Sequence, residues 1–170
     1  VGRGCLAGPV FAAAIKLDER KFPTGINDSK KLNKSKRLEI FKELTKRCKY
    51  SIGISSVKEI EKLNILQSSL LAMNRALEKM NTKDHIILVD GNFAPNKDKN
   101  IKTIIKGDQK CVSIAAASII AKVSRDLFME KLSLKFPNYN WKKNCGYGTK
   151  KHLEAIKMFG ITNHHRKTFS

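Results

Sequence analysis

Two aspartates stand where a carboxylate is informative. Asp90 follows the aliphatic run Ile86-Ile87-Leu88-Val89 and precedes Gly91, which sets it at the C-terminal end of a core strand, where α/β sheets keep their ligands. An Asp-Gly pair after a strand is also an ordinary turn. Asp126 lies beyond Ile114-Ala115-Ala116-Ala117 on a long apolar segment where charge should be scarce. At about 100° per residue, Ser118, Lys122, Arg125 and Asp126 share one sector of roughly 100° on a helix. A hydroxyl with two cations suits phosphate oxygens while the carboxylate takes a metal ion; the competing reading is a solvated face with an ion pair from Lys122 or Arg125. One carboxylate at a strand end and one on a later helix are half of what two-metal phosphodiester hydrolysis requires, with Mg²⁺ or Mn²⁺ as the oxygen-preferring ions. The other acids considered, Asp28, Asp84 and Asp108, lie beside lysines or in loops. The sequence is short of ligands.

Gly2-Arg3-Gly4 and Gly8 gather glycines ahead of an apolar segment, which lets backbone amides approach a ligand. Gly146-Tyr147-Gly148 frees an aromatic ring to stack on a sugar or base, with a turn around a core tyrosine as the equal alternative. Adjacent histidines in His164-His165-Arg166-Lys167 point different ways in any regular element, so that segment reads as a basic, phosphate-facing tail. Asn27-Asp28-Ser29-Lys30-Lys31 reads as a turn in which Ser29 and Lys30 are candidate phosphate contacts. Lys106-Gly107-Asp108-Gln109-Lys110 has the same character.

Lys plus Arg number 34 against 15 Asp plus Glu, a formal net charge of +19. Such an excess repels itself unless an anionic partner offsets it, and nucleic acid is the expected one. No apolar run approaches the roughly 20 residues that cross a bilayer, so no membrane role is expected. The four cysteines are far apart with no Cys-x-x-Cys pair, which predicts ordinary thiols of a reducing, cytoplasmic compartment rather than a zinc ribbon or a disulfide scaffold. A chain of 170 residues supports one main domain with a small appendage.

These residues need a mixed α/β frame. Pro9 to Leu17 is apolar but for Lys16 and predicts a strand buried on both faces. Leu38, Phe41, Leu44 and Cys48 recur at helical spacing; Tyr50, Ile52 and Ile54 alternate as in a strand. Ser56 and Glu59 form a capping-box signature for a helix reaching Met80, with a break near Asn64. His85 to Val89 and Ile101 to Ile105 predict two more strands. Cys111 to about Leu134 predicts a long buried helix ended by Phe136-Pro137, and Thr149 to Phe159 a last one stopped by Gly160.

Taken in order, these segments resemble the type 2 ribonucleases H. The resemblance is carried by Val1-Gly2-Arg3-Gly4 with Leu6-Ala7-Gly8-Pro9-Val10, by Asn27 to Leu32, and by Val89-Asp90-Gly91-Asn92. It continues through Lys106-Gly107-Asp108, Ser113 to Ser118 leading to Lys122-Val123-Ser124-Arg125-Asp126, Gly146-Tyr147-Gly148-Thr149 and His165-Arg166. It implies a ribonuclease H-like mixed sheet flanked by helices, as a catalytic core over 1–134 with a helical, substrate-contacting segment over 135–170. The implied activity is endonucleolytic hydrolysis of the RNA strand of RNA–DNA hybrids, including single ribonucleotides embedded in DNA, by a monomer using two Mg²⁺ or Mn²⁺ ions. Asp90 and Asp126 would bind metal. Gly2, Arg3 and Gly4 would read the ribose 2′-hydroxyl through the backbone, and Tyr147 would stack on the adjoining deoxyribose. The family's signature places an Asp-Glu pair immediately before Val-Gly-Arg-Gly, whereas this sequence begins at Val1; half of the metal site is therefore expected outside it. The chain as given is expected to be inactive, and one restored by Asp-Glu to cleave. A non-catalytic basic RNA-binding protein and another metal-dependent nuclease of similar fold are the alternatives.

Overall fold

The first apolar segment forms strand β1 (Val10–Lys16), which pairs antiparallel along its whole length with β2 (Lys49–Ser55), Val10 opposite Ser55 and Lys16 opposite Lys49. The computed structural model describes residues 1–17, 25–26 and 32–169. Successive side chains of a strand point to opposite faces, and here both are covered. Val10 and Ala12 pack with Ile60 and Ala72, while Ala13 and Ile15 pack with Ile40, Leu44, Ile119 and Ile120.

The helices begin and end where the sequence chemistry places them. Helix α1 (Lys34–Arg47) is capped by Asn33, whose side chain accepts from the Lys36 amide at 2.8 Å. Helix α2 (Val57–Glu78) opens on the reciprocal Ser56–Glu59 capping box. Its predicted break is real: Asn64 has φ 69° and ψ 170°, and its Oδ1 accepts from the amides of Leu66 and Gln67 at 2.9 and 3.1 Å. The helix is thereby capped a second time in mid-course. A single turn, α3 (Gly107–Lys110), leads into the long α4 (Val112–Lys135), followed by another single turn, α5 (Trp141–Asn144), and by α6 (Lys150–Phe159) between Thr149 and Gly160. The two single turns carry no periodicity that a sequence pattern can register.

Strands β3 (Ile87–Asp90) and β4 (Ile101–Ile104) pair in parallel, with Asp90 opposite Ile104. Asp90 is therefore the last residue of its strand rather than the first of the following turn. Among the described residues the antiparallel and parallel parts of the fold are separate two-stranded ladders. A cleft of about 840 Å³ lies between them, walled by β1, by Leu88 and Asp90 of β3, by Met73 and Leu77 of α2 and by Ser118 of α4. A third apolar cluster, with Ala7, Met129, Tyr139 and Trp141, joins the C-terminal segment to the start of the chain. Among the described residues no helix is long and apolar enough to cross a membrane.

Helix α2 sits so close to β2 that only a residue without a side chain fits at Gly53. A Cβ there would overlap the Ala72 carbonyl oxygen and stand 2.6 Å from the Ala76 nitrogen, both backbone atoms that cannot rotate aside. Gly53→Ala is expected to destabilise the chain by about 2 kcal/mol, read as a lower urea midpoint at unchanged m-value. An unchanged midpoint would mean that α2 does not hold this position in solution.

Candidate functional site

Asp90 projects from the end of β3 and is exposed. Its Oδ1 accepts the Gly107 amide at 2.8 Å, so the first turn of α3 fixes this carboxylate and the Lys106–Lys110 segment serves as its support. Lys106 takes the left-handed conformation, φ 55°, to bring that amide round.

Asp126, one turn after Lys122 on α4, forms with it a half-buried ion pair at 2.9 Å. The ion pair weighed as the alternative on sequence grounds is thus present for Lys122. Cys145 also borders Asp126: burial first, and the carboxylate second, push its thiol up to about 11. Ser118 donates to the Ala115 carbonyl at 2.8 Å and lines the cleft.

Arg125 requires a correction. Its guanidinium is fully buried and faces inward, donating to the carbonyls of Pro9 (Nε, 2.9 Å), Cys145 (Nη1, 2.8 Å) and Ala7 (Nη2, 3.0 Å). A guanidinium with no exposed surface that donates to three backbone oxygens is not placed to grip a phosphate. The helical sector put Arg125 beside Ser118 and Asp126, but its long stem carries the head under the N-terminal loop. Gly2 (φ 88°) adopts a conformation that favours glycine, and a Cβ on it would overlap the Arg125 side chain.

Arg166 holds the same loop from the other side. At 2 % exposure it donates from Nη2 to Gly2 and Gly8 carbonyls (both 2.7 Å), from Nη1 to Arg3 (2.9 Å) and from Nε to Gly8 (3.0 Å). Its own amide donates to Leu6 at 2.8 Å, and Ala7 pairs with His165 as an antiparallel bridge. Arg3 and Gly4 remain exposed at the crest. The expected phosphate-facing tail is therefore corrected at His165 and Arg166, which are buried; positive charge in the sequence does not distinguish a head that meets water from one solvated by carbonyls.

Tyr147 is 42 % exposed, which favours the stacking reading over a core tyrosine. Burial of its inner edge, with Cys5 beside it, pushes the phenol above its ordinary value. Behind it lies a buried chain of rings. Trp141 Nε1 donates to His152 Nε2 at 3.0 Å, which makes that nitrogen an acceptor and leaves Nδ1–H to donate to the Tyr147 carbonyl at 2.8 Å. His165 Nδ1 accepts the Thr162 amide at 2.9 Å, so its Nε2–H points at His152 Nε2, 3.1 Å away. Both histidines are neutral in this arrangement. Burial, then the neighbouring His152 and His164, lowers His165 from 6.5 to about 4.

Ser29 and Lys30 lie outside the described residues, as does Asp28. Among the described residues no three His, Cys, Asp or Glu side chains cluster as metal ligands. The oxygen donors of Asp90 and Asp126 match Mg²⁺ or Mn²⁺ in kind, and as a pair they fall short of a full ligand set. The residues that sequence reasoning missed as site supports are Arg166, His152 and His165. For His165 and Arg166 the sequence signal was the His-Arg motif itself, read as facing phosphate; His152 carried none.

A histidine held below its unfolded pKa binds fewer protons in the native state, so stability rises with pH across the gap. Lowering the pH from about 6.5 to about 4 is expected to erode stability through His165. A urea-midpoint series against pH should slope downward toward acid, and His165→Asn should flatten it between those limits. Parallel slopes would show that His165 is not buried neutral.

The chain matches known proteins along its whole length. The family model for Ribonuclease HII covers residues 1–170. Ribonuclease HII of Pelagibacter ubique (strain HTCC1062) is 56% identical over 171 residues, covering 100% of this chain and 92% of that protein; Ribonuclease HII of Wolbachia pipientis wMel is 50% identical, covering 100% and 86%. Among solved structures, ribonuclease H2 from Pyrococcus horikoshii OT3 superposes with TM-score 0.79 at 27% identity, covering 99% of this chain and 90% of that one. The RNase HII of the PCNA:RNase HII complex from Archaeoglobus fulgidus gives 0.76 at 25%, covering 100% and 92%. With its α/β frame, its aspartate at a strand end and its buttressed glycine loop, the chain belongs to the ribonuclease HII family.

Proposed function

We propose that the chain hydrolyses the RNA strand of RNA–DNA hybrids, including single ribonucleotides embedded in duplex DNA, leaving 3′-hydroxyl and 5′-phosphate ends. The supporting observation is a convergence: the exposed crest at Arg3 and Gly4, the half-exposed Tyr147 and the carboxylate of Asp126 meet around Cys5, Arg125 and Cys145. A backbone reader, a stacking ring and a metal-ready carboxylate at one place suit cleavage beside a ribose, because the 2′-hydroxyl is what tells RNA from DNA at a single nucleotide.

In this reading Asp90 and Asp126 hold the ions. When bound, Mg²⁺ or Mn²⁺ supplies an activated water and neutralises charge on the leaving oxygen. Lys122 releases Asp126 and turns to a phosphate oxygen, Ser118 borders the cleft, and residues 135–170 contact the substrate over the core of 1–134. The net charge of +19 draws the duplex in. The reading extends to a cytoplasmic monomer, in keeping with four free thiols.

Two features support completion of the site by an acidic pair N-terminal to Val1. Val1 donates to the Phe11 carbonyl at 2.7 Å and accepts the Phe11 amide at 3.1 Å, the exchange of an antiparallel strand pair. The cleft opens from that pair and runs between β1 and β3 to Asp90.

The test is a DNA duplex with one embedded ribonucleotide. With Asp-Glu joined ahead of Val1, cutting is expected at that nucleotide alone and only with Mg²⁺ or Mn²⁺, while residues 1–170 by themselves stay inactive. Equal activity of the two forms would overturn the assignment of the site, and binding without cutting in both would favour a non-catalytic RNA-binding protein. Asp126→Asn should abolish cutting with binding largely intact; survival of cutting would make Asp126 structural.

A further inference from the structure

The proposed reader is a stretch of exposed backbone, and exposed backbone rich in glycine has no preferred direction unless something sets it. In a trans peptide the C=O and the following N–H point opposite ways. Arg166 holds the carbonyls of Gly2 and Arg3 inward, at 2.7 and 2.9 Å. The amides that share those peptide planes belong to Arg3 and Gly4. They are therefore turned outward, as two adjacent donors at the exposed crest.

The neighbouring residue performs the same office for the aromatic side of the site. His165 points Nε2–H at His152, and His152 donates to the Tyr147 carbonyl at 2.8 Å. Cα to Cα, His165 and Arg166 are consecutive, so the backbone reader and the stacking ring are set by one dipeptide. That dipeptide is itself pinned by the Ala7 bridge and by Phe169, whose ring lies 5.1 Å from the Arg166 guanidinium carbon.

We infer that His165 and Arg166 are positioning residues for ribonucleotide discrimination: Arg166 aims the Arg3 and Gly4 amides, and His165, through His152, sets Tyr147 relative to them. The inference rests on the proposed reading of that loop and ring. Neither side chain touches substrate. A lysine at 166 keeps the charge and most of the stem, but one ammonium cannot hold three carbonyls spread over Gly2, Arg3 and Gly8 in the plane of a guanidinium fork.

The experiment measures binding, in chains that carry Asp-Glu ahead of Val1 and Asp126→Asn to prevent cutting. Fluorescence anisotropy gives Kd for a duplex with one ribonucleotide and for the same duplex in all-DNA form. Arg166→Lys is expected to lower the ratio of the two affinities by roughly tenfold to a hundredfold, the effect of losing two hydrogen bonds to the ribose, with all-DNA affinity unchanged. His165→Gln should lower it less and in the same direction. A ratio that stays constant, or two affinities that fall together, would overturn the inference and leave these residues a general structural role. If circular dichroism shows that Arg166→Lys does not fold, His165→Gln decides the matter by the same criterion. Should the parent chain itself fail to prefer the ribonucleotide, or Tyr147→Ala leave a strong preference intact, it is the underlying reading of the site that fails.

Discussion

Between Gly2 and Pro9 the backbone turns its carbonyls inward, and the two buried guanidinium groups of Arg125 and Arg166 hold it there through seven contacts to six residues' oxygens, counting Cys145. Burying two cations is costly, and burial indeed brings Arg166 down to about 10, still protonated at neutral pH. What offsets that cost is a ring of carbonyl dipoles with their negative ends aimed at the charge. The arrangement works in both directions: the loop solvates the cations, and the cations give the loop a single conformation.

Much else follows from that exchange. The loop has to close over Arg125, so Gly2 can have no side chain and α4 is fixed beneath the N-terminal segment. It has to close against Arg166 as well, so the C-terminal segment returns to the beginning of the chain. Leu6 and Ala7 then bind the Gly146 carbonyl, and Gly8 binds that of His164. The two ends of the sequence thereby meet beside Asp126, and Tyr147 is carried to the crest. The ladder β3–β4 stands across the cleft and contributes Asp90 independently, through its contact with α3. The two carboxylates are thus supported separately, Asp90 by the Gly107 amide and Asp126 by Lys122.

Local pattern made most of the frame legible. The period of two in Lys49–Ser55, the uniform apolarity of Val10 to Ile15, the capping box at Ser56 and the arrest of α4 before Pro137 each reflect constraints acting within a few residues. Asn64 belongs with them, since its side chain caps the amides just ahead. The single turns α3 and α5 were invisible because four residues carry no period. Arg125 and Arg166 were misread for a different reason. Their charge suggested phosphate, while their partners lie 116 and 158 residues away in the chain, beyond any local rule.

The sequence by itself determined the class of fold, the order of its elements, the large positive charge and the family, because these rest on periodicity, composition and short motifs. Tertiary structure alone decided which polar residues stay accessible and which serve as internal scaffolding. Ser118 and Tyr147 were kept at the surface, Arg125, His152, His165 and Arg166 were taken inside, and Lys122 was engaged by Asp126. The physical reason is that a long polar side chain can satisfy its donors either in water or on buried carbonyls, and only the packed chain brings those carbonyls within reach.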